Sequence, residues 1–72
     1  MKIVGRSIVL QAAMNLIDNP KLWDVFPASV DPSKMRELRN SVQDYMYSDG
    51  TVTEVATCLA WVLGFQMIDE EK

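Results

Sequence analysis

Histidine is absent from this chain, and cysteine occurs once, as Cys58. One thiol excludes an internal disulfide. Without histidine, the usual zinc ligand sets cannot be assembled within one chain, so no metal site is expected. The same shortage leaves Cys58, set among apolar residues in a helix, without an imidazole base to activate it. Cys58 therefore reads as a small hydrophobe rather than a nucleophile. Glycine occurs three times, widely separated, so no loop can cradle a phosphate and no nucleotide cofactor is implied. Basic residues are outnumbered, seven against ten acidic, for a net charge of −3. Such a chain is poorly suited to wrapping a phosphate backbone, where affinity comes mainly from Lys and Arg. No apolar run reaches the roughly 20 residues that span a bilayer.

What remains is apolar mass. Of the 72 residues, 49% are hydrophobic, which argues for a packed domain rather than a disordered tail. Residues 1–72 read as a single helical domain. A domain of this size buries only about 60% of its unfolded surface, and its stability is marginal unless disulfides, metals or association add to the core. With the first two excluded, association is the expected addition. The opening residues have a faint signal-peptide character, but Gln11 and Asn15 interrupt the apolar stretch. A cytoplasmic location, with no membrane contact, is the expectation.

The pattern predicts three helices and one short helical turn. Lys2–Gly5 can form an extended arm. A first helix over Arg6–Asp18 carries a narrow polar strip, Ser7, Gln11, Asn15 and Asp18, and is otherwise apolar. Asn19-Pro20 and Asp31-Pro32 each combine a capping side chain with a proline suited to the first helical position. The first pair starts a single turn, which brings Leu22, Trp23 and Phe26 to the core and stops at Pro27. The second pair starts a helix over Pro32–Tyr47. Met35, Leu38, Val42 and Tyr45 form its buried stripe. Gly50, in a left-handed conformation, is expected to close this helix. Thr51 and Glu54 then form a capping box that opens the C-terminal helix.

That last helix, predicted over residues 52–68, has apolar residues on two faces. Val52, Val55, Ala56, Leu59, Val62 and Leu63 make one stripe. Cys58, Trp61, Phe65 and Ile68 make a second on nearly the opposite side. A helix apolar all round must be buried all round. The first and last helices both ask for wide cover, while the others offer one narrow stripe each, so the excess points to another chain. Ala56, Ala60 and Gly64 add a ridge of small residues. The simpler partner for it is the first helix of the same chain, and the alternative is a two-fold contact between copies.

Other constellations carry less. Asp49, Gly50 and Val52 sit as in part of a calcium loop, but Tyr45, Tyr47 and Ala56 occupy positions that must supply oxygen ligands. Lys34, Arg36 and Arg39 form the one basic cluster, a candidate contact for an anion or nucleic acid. The segment before their helix is longer than a helix-turn-helix turn, and Asp31, Glu37 and Asp44 would oppose the same phosphates. The aromatics could line a ligand pocket, though core packing is the plainer reading. The four internal methionines, able to adapt to irregular partners, read first as core filling. The carboxylates form no acid–base pair with diverging environments, so catalysis is not expected.

The reading is thus an all-α bundle of three helices plus one short helical turn, assembled as a homodimer through Cys58, Trp61, Phe65 and Ile68. Its expected role is non-catalytic binding of a still unidentified protein partner, as an inhibitor or adaptor. The alternatives are a nucleic-acid-binding regulator using Lys34, Arg36 and Arg39, and a protein that sequesters a nucleotide or other small anion. In size, acidity and lack of catalytic groups the chain resembles small phage accessory proteins, which often bind a host protein; no particular residues carry that likeness.

Overall fold

The computed structural model describes residues 2–26 and 29–68. The expected stop at Pro27 and the acidic tail, residues 69–72, lie outside them. The elements run in the order β1 (Lys2–Gly5), α1 (Arg6–Asp18), a 3-10 turn (Pro20–Val25), α2 (Pro32–Tyr47), α3 (Val52–Leu63) and β2 (Phe65–Ile68). The three helices and the short turn follow the sequence reading. The fold is mostly helical rather than all-α, because the two strands pair into a small parallel sheet.

The helix starts are set by local hydrogen bonds. The Asn19 side chain accepts from the Lys21 N–H at 3.2 Å, and Asp31 accepts from the Ser33 N–H at 2.9 Å and the Ser33 hydroxyl at 2.9 Å. At α3 the box is reciprocal. Thr51 Oγ1 accepts from the Glu54 N–H at 3.2 Å, and Glu54 Oε1 accepts from the Thr51 N–H at 3.1 Å. Each of these bonds, except that from the Ser33 hydroxyl, satisfies a backbone donor left without a partner at the helix start.

The helix ends depart from expectation in two places. Gly50 does not adopt positive φ; Gly64 is the glycine that does. What Gly50 provides is closeness. Its N–H donates to the Asp44 carbonyl at 3.1 Å, and a Cβ there would sit 2.8 Å from the Asp44 carbonyl carbon. The larger difference is at α3, which stops at Leu63 instead of running to residue 68. Gly64, at φ 79° and ψ 26°, takes the left-handed conformation of a helix cap, and its N–H donates to the carbonyls of Ala60 and Trp61. The chain then turns into β2. Lys2 pairs with Phe65, Ile3 with Gln66, Val4 with Met67 and Gly5 with Ile68. A two-stranded sheet is marginal alone. This one is held by packing on α1 and α3, with Val4, Phe65 and Met67 turned to the core.

α3 is the central helix. It packs against both α1 and α2, and its Val55, Ala56, Leu59, Ala60 and Val62 are buried. α1 contributes Val9, Ala13 and Leu16, and α2 contributes Leu38 and Val42. Much of the apolar excess on α3 is therefore covered within the chain, between two flanking helices. α1 buries one stripe only, and its Ile8 and Met14 remain exposed. Tyr45, expected in the buried stripe of α2, also lies exposed.

Candidate functional site

The four residues expected to meet another chain do not share one face. With α3 ending at Leu63, the helical stripe that joined Cys58 and Trp61 to Phe65 and Ile68 is cut at Gly64. Phe65 is half-buried and packs on the core from β2, and Cys58 is half-buried at its edge. Trp61 is 50% exposed and Ile68 43% exposed. The alternation along β2 puts Ile68 on the outer face of the sheet. Its cross-strand neighbours there are Gly5, directly paired, and Ile3, which is 60% exposed. Ile3 was not singled out in the sequence. Its role follows from a strand pairing between the two ends of the described chain, which no local pattern reveals.

Cys58 and Trp61 remain together in an open groove of about 580 Å³ between the start of α2 and α3, with Ser33, Glu37, Thr53, Glu54 and Thr57. The Lys34 ammonium lies over the Trp61 ring, 5.1 Å from its centroid. A cation so placed is attracted to the negative face of the indole. Thr57 donates its hydroxyl to the Thr53 carbonyl at 2.9 Å, so its polar atom is satisfied within the helix.

The basic cluster is likewise divided. Lys34 belongs to the Trp61 side. Arg39 lies over the Trp23 ring at 5.3 Å and lines a second groove with Trp23, Val42 and Gln43. Arg36 and Arg39 share a third groove with Val30, Pro32 and Met35. Lys34, Arg36 and Arg39 therefore do not present one continuous surface. Asp31 has its carboxyl held below the ordinary aspartate range, first by the Ser33 backbone N–H and then by the Ser33 hydroxyl; desolvation opposes them, and the charge of Lys34 adds the least. This is the electrostatics of a helix cap. Among the described residues, no group of three or more cysteine or carboxylate side chains is gathered as a metal would require. Among them too, no helix is long and apolar enough to cross a membrane.

Comparison of the chain with family models, curated proteins and solved structures gives no match. The functional reading accordingly rests on the surfaces just described.

Proposed function

We propose that this protein is a small non-catalytic interaction protein that self-associates and presents an apolar surface to a protein partner. The observation that carries the reading is Trp61, a large aromatic left half exposed at the rim of an open groove in a chain with a small core. Buried tryptophans are prominent among residues that dominate interface energies, and few side chains lose as much apolar surface when covered. Ile3 and Ile68 on the outer face of the sheet add a second exposed apolar element. Self-association supplies the additional burial that a domain of this size needs.

The contact is centred on Trp61 and Cys58; Ile68, with Ile3 on the outer face of the sheet, is a separate apolar element, and Phe65 fixes β2 on the core. Light scattering on a sizing column tests the reading. A species heavier than a monomer is expected at high micromolar concentration. Trp61→Ala should shift it toward monomer, and a strict monomer at that concentration contradicts self-association.

A further inference from the structure

The side of α2 away from the Trp61 groove carries a feature that self-association does not use. Arg36, Arg39 and Gln43 follow one another at spacings of three and four and share one stripe. The Arg39 guanidinium lies over Trp23, and Trp23 stacks on Phe26 with centroids 5.9 Å apart and planes 16° from parallel. Stacking positions a guanidinium while leaving its N–H donors unused, so its fork stays available to an oxyanion. Among the described residues, neither Arg36 nor Arg39 has a carboxylate partner. Glu37 lines the groove on the Trp61 side instead. Arg39 borders two grooves, of about 350 Å³ toward Trp23 and Gln43 and about 410 Å³ toward Arg36 and Met35. Each volume suits a small molecule.

We propose that Arg39, with Arg36 one turn away, forms a binding site for a small organic phosphate. The two guanidiniums meet the two negative charges of a phosphate monoester. Val30 and Met35, which line the groove shared by the two arginines, face the organic part. A small dianion fits this surface better than a nucleic acid. Lys34 is on the other side of the helix, and a chain of net charge −3 repels an extended polyanion.

The test uses the full chain carrying Trp61→Phe, so that Trp23 alone reports by fluorescence. It is titrated with phenyl phosphate, adenosine monophosphate, inorganic phosphate and a single-stranded thymidine oligonucleotide. Saturable quenching by at least one of the two organic phosphates is expected, with inorganic phosphate weaker. Arg39→Met should weaken binding about tenfold or more, as loss of a charged hydrogen-bonding partner does. Arg39→Lys, which keeps the charge and loses the fork, should fall between, and Lys34→Met should leave binding unchanged. Should Arg39→Met fail to fold, Arg36→Met, which does not disturb the Trp23 stack, must still weaken binding. The proposal is overturned by absence of saturation with both organic phosphates up to about 10 mM, a concentration beyond the millimolar end of weak binding. It is equally overturned by an equal loss in Lys34→Met and Arg39→Met, or by tighter binding of the oligonucleotide than of either organic phosphate. Since the readout is at Trp23, these results do not depend on whether the chain self-associates.

Discussion

Replacing Gly64 by alanine separates two ways of folding the C-terminal third of this chain, because they predict opposite signs. In the structure, Gly64 ends α3 at φ 79°, and a Cβ added there meets no atom within 4 Å. No steric clash enters, so the cost is conformational. An L-residue held in the left-handed region loses about 1–2 kcal/mol, partly offset by the smaller entropy of the unfolded alanine chain. A net destabilisation of about 1 kcal/mol follows. For a domain of this size that lowers the melting temperature by roughly 4–8 °C. Were residues 52–68 one continuous helix, as the apolar periodicity alone suggests, glycine would sit in its interior and alanine would stabilise by about 1 kcal/mol. The two outcomes thus differ by about 2 kcal/mol, more than a tenfold change in the unfolding equilibrium. Urea denaturation followed by circular dichroism resolves them. Gly64→Asn serves as a control and should cost less than alanine, since asparagine enters the left-handed region more readily. A more stable Gly64→Ala protein would refute the strand pairing of β2 with β1.

Other perturbations test the packing and the caps. Leu38 is fully buried where α2 contributes to the core, so Leu38→Ala should cost about 2–5 kcal/mol in chemical denaturation; a loss well below 1 kcal/mol would mean that α2 does not pack there. Gly50→Ala places a Cβ against the Asp44 backbone and should destabilise the protein although φ is ordinary, and unchanged stability would remove the close approach from the account. Asp31 has a folded-state pKa lowered by its bonds to Ser33, so its capping contribution is complete above the ordinary aspartate value and is lost as pH falls through the lowered folded value. Thermal melts of the native chain and Asp31→Asn should therefore differ at neutral pH and converge in acid, and a difference that persists unchanged in acid would contradict the assigned cap.

The sequence announced the helices through signals that act within one turn. Asn19, Asp31 and the Thr51–Glu54 pair each bond to backbone donors two or three residues away, so residue type and spacing were enough. The sheet was not legible, because β1 and β2 pair across nearly the whole chain and each is four residues long. Phe65 and Ile68 fall three apart, which puts them on one face of a helix and on opposite faces of a strand, so a single apolar stripe reads first as helix. The available signal was Gly64, a residue suited to ending a helix just after an apolar run. The breadth of apolar surface on α3 demands cover on two sides; the sequence reading assigned one of them to another chain, whereas α1 and α2 supply much of the cover within the same chain. The Arg39–Trp23 contact was hidden for the same reason as the sheet: it joins α2 to the 3-10 turn through tertiary packing.

The proposed self-association centres on Trp61, one of several large apolar side chains that the fold leaves exposed, among them Ile3, Ile8, Met14, Tyr47 and Ile68. The direct measurement is the molar mass of the native chain and of Trp61→Ala, determined by light scattering across a concentration series into the high micromolar range. The account predicts a concentration-dependent assembly for the native chain and a shift toward monomer for the variant, with both retaining the same circular dichroism spectrum. A native chain that stays monomeric throughout, or a variant that assembles as readily as the native chain, would contradict it.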